Sequence, residues 1–361
     1  MTSSHSNSDG ALPPPLGITP NFKDPESIAS RLIIASVVGP VITIPLCIVR
    51  FYTKRYILRN TGWDDYTIIA STLLALGYSI LISIQTTNGL GNHMWDVPTH
   101  KFNAFMKIGG TGGPIFYHLS ALLFKVSLCA FYLRFALSRS LRTAVHAVAV
   151  ITVIYSLLAA FPFVWVCQPM SKYWNLSSPT GSCIDLDAFF LSIACINAAT
   201  DLALLVLPLF IIKDLRLPAR KKAGVAALLM TGSIVCVVSL IRLETVVHGM
   251  LTAATDVTWV LATNFTWLVV EMWLGIICTC LPTLYTFIRK RFGNQADKPT
   301  TGDQNIHWIE QDMILDSSVF ATKPSSDSGA VKSNIQLREA AVIRPVASNS
   351  SLLTTHVRSG D

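Results

Sequence analysis

Seven stretches of the chain are apolar for about 20 residues, the length a helix needs to cross the hydrocarbon of a bilayer. They run over about Leu32–Phe51, Tyr66–Ile84, Gly113–Phe135, Ala144–Val166, Ala188–Ile212, Ala223–Val247 and Val257–Ile288. The pattern predicts an all-α bundle of seven transmembrane helices over residues 32–292. The flanks are polar. Residues 1–31 include Pro13, Pro14 and Pro15 and lack the short apolar core of a secretory signal near Met1. The first apolar run therefore reads as a retained helix and residues 1–31 as an outer tail. Residues 293–361 are rich in Ser, Thr, Asp and Asn without periodicity and read as a disordered tail.

The polar breaks between the runs set an orientation. Arg50, Lys54, Arg55 and Arg59 follow the first run, and Arg134, Arg139 and Arg142 follow the third. Lys213, Arg216, Arg220, Lys221 and Lys222 follow the fifth, and Arg289, Lys290 and Arg291 follow the seventh. The opposite loops hold only Lys101, Lys107 and Lys172. Four basic clusters on one side predict that this side is cytosolic, with the N-terminus outside. The expected location is a plasma membrane or another secretory-pathway membrane.

Composition agrees. Of 361 residues, 51% are hydrophobic and 14% charged, against about a quarter charged in soluble domains. The net charge of +7 comes from clusters beside apolar runs. It points to a lipid bilayer as partner and not to nucleic acid, which needs a basic soluble face.

Eight cysteines divide by position. Cys47, Cys129, Cys195, Cys236, Cys278 and Cys280 fall inside predicted helices. Cys167 and Cys183 flank the expected outer loop, where oxidising conditions favour a disulfide; buried free thiols are the ordinary alternative. Asn175-Leu176-Ser177 in the same loop is a glycosylation sequon. The sequons at Asn264 and Asn349 fall in a helix and on the cytosolic side.

Four ionisable residues lie within apolar runs: Lys125, Asp201, Arg242 and Glu271. Lys125, Asp201 and Glu271 are expected about 15–20 Å below the outer surface, at 1.5 Å per residue, with Arg242 nearer that face. Unpaired charges at such depth are costly, so Lys125 and Arg242 are expected to pair with Asp201 and Glu271. The network is a candidate ligand or ion site, or a switch; the plainer reading is a clamp between helices. Pro40, Pro45, Pro114, Pro162, Pro208 and Pro282 also lie in the predicted helices, as kinks that shape the bundle.

Local motifs carry a family resemblance. Gly62-Trp63-Asp64-Asp65-Tyr66 opens the second helix, and Gly89-Leu90-Gly91-Asn92-His93 forms the first outer loop. Lys125-Val126-Ser127 and Phe131-Tyr132-Leu133-Arg134 lie in the third helix. Cys167-Gln168-Pro169, Tyr173-Trp174 and Gly181-Ser182-Cys183 mark the second outer loop. Asn197, Asp201-Leu202 and Leu207-Pro208 follow, then Gly232, Arg242, Glu271 and Cys280-Leu281-Pro282-Thr283-Leu284. In order and spacing these resemble the fungal rhodopsin-domain proteins over about Leu32 to Phe292. The resemblance implies a receptor-like membrane protein, or an accessory to a secondary-metabolite (mycotoxin) pathway. It gives no ligand beyond an unknown small molecule.

Chemistry limits the sharper activities. Retinal needs a Schiff-base lysine, and the seventh helix has none before Lys290. Coupling to a cytosolic signalling protein suits the topology, with Asp64, Asp65 and Arg134 as candidates. Yet Tyr132-Leu133-Arg134 lacks an acid, and Leu281 stands where a Pro-x-x-Tyr helix would carry Asn. His93, His100, His118 and His248 lie toward the outer side, but none are spaced i, i+4, so a catalytic metal centre is the weakest reading. The expectation is a non-enzymatic protein without cofactor or metal. A small-molecule or ion transporter is the alternative, and an intramembrane metal-dependent enzyme the further one.

Overall fold

The computed structural model describes residues 10–15, 17–59, 62–133, 136, 138–173, 181–214, 219–251 and 256–292. For residues 163, 211–214, 219–228, 289, 290 and 292 the backbone alone is described. Asn175, Arg134 and the tail from residue 293 lie outside the described residues.

Among the described residues, seven long helices form the bundle: α1 Ala29–Tyr52, α2 Trp63–Thr87, α3 Thr99–Leu133, α4 Arg139–Ala160, α5 Leu186–Asp214, α6 Ala219–Leu251 and α7 Val257–Phe292. A π-helical turn, Thr53–Ile57, continues α1. Each helix packs on its sequence neighbours, α1 closes the ring against α7, and α3 and α7 touch across the middle. All seven are long and apolar enough to cross a membrane.

The bundle buries polar groups and exposes apolar ones. On α1, Leu32, Ser36, Thr43 and Arg50 line the buried stripe, whereas Ile34, Val41 and Ile48 are more than 60% exposed. A soluble helix does the reverse. Such an apolar exterior fits hydrocarbon, and the chain is a multi-pass membrane protein. Close approach of α1 to α7 depends on Gly39, where a Cβ would sit 2.2 Å from the Trp273 ring.

Two helix boundaries differ from those the apolar runs suggest. α3 starts at Thr99, 14 residues before Gly113. Its first turns are amphipathic: Phe102, Phe105 and Gly109 are buried on one face, while polar residues interrupt the apolar run. His100, Lys101 and Lys107 therefore sit on a helix, not in a loop. Lys125 lies about 39 Å along α3, while Asp201 and Glu271 are about 22 and 21 Å into their helices; since Lys125 and Asp201 meet, α3 extends further beyond that level than α5 does. α4 ends at Ala160, because Pro162 opens a separate turn, Pro162–Trp165.

That turn leads into a two-stranded hairpin, β1 Cys167–Gln168 and β2 Ser182–Cys183, antiparallel with Cys167 opposite Cys183. The two cysteines form a disulfide. Tyr173, between the strands, donates to the carbonyl of Gly110 on α3 at 3.3 Å. Burial pushes its phenol up to about 12, so it remains a donor at neutral pH. We call this the hairpin end, and the opposite one, where Arg50 and Arg139 lie, the basic end.

Candidate functional site

Charged and polar side chains from five helices meet in the bundle interior. Lys125 on α3 is fully buried. Its ammonium lies 2.8 Å from Asp201 Oδ1 and donates to Asn197 Oδ1 at 2.9 Å and Thr200 Oγ1 at 3.1 Å. Tyr155 of α4 accepts from it at 3.2 Å. Asn197 and Asp201 are one turn apart on α5, which places both on one face.

Asn197 joins this pair to a second one. Its amide donates to Asp201 Oδ2 at 3.1 Å and to Glu271 Oε1 on α7 at 2.7 Å. Glu271 Oε2 lies 3.1 Å from Arg242 Nε on α6 as an ion pair, without the angle of a hydrogen bond. Tyr117 donates to Glu271 at 2.8 Å, and Ser239 to Asp201 at 2.6 Å. The four charged side chains are between 0% and 6% exposed, so what compensates their charges is one another and these hydroxyls, not water.

The network is complete around Lys125 and Asp201 and incomplete around Arg242. Arg242 Nη2, Tyr78 OH and His118 Nδ1 are buried polar atoms with no hydrogen-bond partner among the described residues. The Tyr78 and Tyr117 rings lie 5.8 Å apart, and the Tyr117 and His118 rings 4.9 Å. These three polar groups thus belong to the neighbourhood of Tyr117 and the Arg242–Glu271 pair. Most buried polar groups in proteins are paired; Ser36, Gln85, Ser156 and Asn264 also carry open buried atoms among the described residues, and the three named here lie beside Tyr117 and the ion pair.

The Gly89–His93 loop motif is a structural junction. Gly89 and Gly91 have φ of +97° and +95°. A Cβ on Gly91 would meet the Ala29 backbone nitrogen at 2.9 Å. His93 is stacked between Trp95 and Trp259, with ring centroids 4.5 and 4.2 Å away, and its Nδ1 meets Asp256. Asp256 also accepts from the Met94 amide at 3.0 Å. The loop thereby ties α2 to the start of α7. Among the described residues, no group of three His, Cys, Asp or Glu is arranged to hold a metal ion.

Asp64 and Asp65 are buried at the basic end. Arg50 Nη2 lies 3.0 Å from Asp64 and Arg50 Nε 3.3 Å from Asp65, while Lys54 contacts both carboxylates. Arg50 also donates to the Thr279 carbonyl on α7, one turn before Pro282. Arg50 and Lys54, read from sequence as loop positives, are therefore 5% and 6% exposed in a clamp joining α1, α2 and α7.

Tyr117, Tyr155, Thr200 and Ser239 do not stand out in the sequence. The one signal they carry is spacing: Ser239 precedes Arg242 by one turn, and Thr200 adjoins Asp201.

The Fungal rhodopsin domain matches residues 49–290. The chain belongs to that family. Several relatives are similar over much of its length. A SAT4 family membrane protein of Emericella nidulans is 28% identical over 240 residues, covering 66% of this chain and 57% of that protein. Wortmanamides biosynthesis cluster protein C of Talaromyces wortmannii is 24% identical over 261 residues, 71% of this chain and 69% of that one. Satratoxin biosynthesis SC1 cluster protein 4 of Stachybotrys chartarum is 25% identical over 178 residues, 49% of this chain and 63% of that one. No solved structure matches the chain.

Proposed function

We propose that this chain is a non-enzymatic, receptor-like membrane protein that serves a fungal secondary-metabolite pathway. Its small-molecule site is the interior around Arg242, Glu271, Tyr78 and His118. The observation that carries this reading is the trio of open polar groups on Arg242, Tyr78 and His118. Together they suit a small molecule with carbonyl or hydroxyl oxygens. The pathway assignment rests on the relatives named for wortmanamide and satratoxin biosynthesis clusters. The basic clusters favour a cytosolic basic end and an outer hairpin end.

A transporter is the second reading, favoured by the buried Lys125–Asp201 pair in mid-helix. One experiment separates the two. Cells carrying the intact protein, Arg242→Gln or a deletion are given secondary metabolites, and internal levels and the transcriptional response are followed. For the receptor, the response is lost in Arg242→Gln and the deletion while internal levels stay the same. Altered internal levels in both strains give transport instead. A full response and unchanged levels in both strains refute both.

A further inference from the structure

Cys47 on α1 and Cys280 on α7 face each other with their sulfurs 3.8 Å apart. Both are free thiols in the structure, while Cys167 and Cys183 at the hairpin end are joined. Cys47 Sγ also lies 3.5 Å from Thr72 Oγ1 on α2, and Cys280 Sγ 3.9 Å from Thr279 Oγ1. The pair adjoins the basic-end clamp: Arg50 follows Cys47 by three residues, and the Thr279 carbonyl it binds directly precedes Cys280.

The two sulfurs are at ordinary contact distance. A disulfide needs its sulfurs about 2.0 Å apart, so closure takes an approach of about 1.8 Å. The helices that would move are already held together by Gly39 against Trp273 and by Arg50 at Thr279. Exposure of the two thiols differs. Cys280 is 1% exposed, whereas Cys47 is only partly buried. A small neutral oxidant entering from the side of the bundle therefore meets Cys47 first.

We infer that Cys47 and Cys280 form a redox-sensitive dithiol that peroxide converts into a disulfide between α1 and α7. Cys47 attacks one peroxide oxygen and breaks the O–O bond, giving a sulfenic acid and one water. Cys280 then attacks the Cys47 sulfur and displaces the hydroxyl, which leaves as a second water with the Cys280 proton. Two thiols and one hydrogen peroxide thus become one disulfide and two waters. A thiol reductant reverses the bond by two exchanges and is itself oxidised. The bond fixes covalently the α1–α7 contact that Arg50 makes through a hydrogen bond.

The test uses the full chain in membranes, with a protease site inserted between α3 and α4. Cleavage separates a part holding Cys47 and Cys129 from a part holding the other six cysteines. After hydrogen peroxide, cleavage and blocking with N-ethylmaleimide, the two parts are expected to run together on a non-reducing gel and apart after reduction. Cys47→Ser and Cys280→Ser should each abolish the joined band, and Cys129→Ser should leave it. The Cys167–Cys183 disulfide, read by differential alkylation, reports that each variant is folded. The inference is overturned if the intact chain separates without reduction after peroxide. It is overturned equally if a folded Cys47→Ser chain still runs joined.

Discussion

Asn197 Nδ2 donates to Glu271 Oε1 at 2.7 Å, and this bond turns two ion pairs into one network. Asn197 Oδ1 meanwhile accepts from Lys125 and Tyr155. Replacing Asn197 by Leu removes all of these links and leaves buried partners open. We expect a loss of about 1–3 kcal/mol, seen as a lower melting temperature of the detergent-purified protein. An unchanged melting temperature would show that the link contributes nothing.

Lys125 and Asp201 separate structural from functional roles. Lys125→Met alone strands a buried carboxylate, at an expected cost of about 3–5 kcal/mol. Lys125→Met with Asp201→Leu removes both charges and should recover most of that loss, because a buried ion pair adds little over apolar packing. The double variant, once folded, is then assayed for the metabolite response. A retained response makes the pair a clamp; a lost one places it in the functional site.

Arg50→Gln opens the basic-end clamp. Lys54 still neutralises part of Asp64 and Asp65, but the Thr279 carbonyl loses its donor. Amide exchange should quicken near residues 46–68 and around Thr279. It should stay as in the parent at Asn197 and Asp201, which share no partner with Arg50.

Gly91→Ala should destabilise the hairpin end by about 1–3 kcal/mol, through positive φ and the Ala29 backbone together. Gly110→Ala is the contrasting substitution, since its Cβ would rest 3.4 Å from Tyr173 at ordinary contact. Parallel thermal melts should show a clear loss for the first and little change for the second.

The seven spans are legible because a chain rarely keeps about 20 consecutive apolar residues except to cross a bilayer. The start of α3 is not, since the stripe of Phe102, Phe105 and Gly109 is diluted by His100, Lys101, Asn103 and Lys107. The break after Ala160 needs Pro162 to be read as the first residue of a new turn instead of a kink. Within the site, Lys125, Asp201, Arg242 and Glu271 stand out because charge is rare in such helices. Tyr117, Tyr155, Thr200 and Ser239 do not, because neutral polar residues are common there. Arg50 and Lys54 mislead for a related reason: a basic residue at a helix end looks the same whether it faces headgroups or buried carboxylates. The adjacent acids Asp64 and Asp65, themselves within reach across one short connection, are the sign that separates the two cases.

The interior network has a consequence for what can enter it. Lys125 and Arg242 contribute two positive charges, Asp201 and Glu271 two negative ones, and the sum is zero in a region that water screens poorly. A guest with net charge upsets that balance unless a proton or counter-ion comes with it. A neutral, oxygen-rich molecule would enter without this penalty. In the proposed small-molecule site, electrical neutrality at the centre would therefore filter guests by charge, independent of their shape.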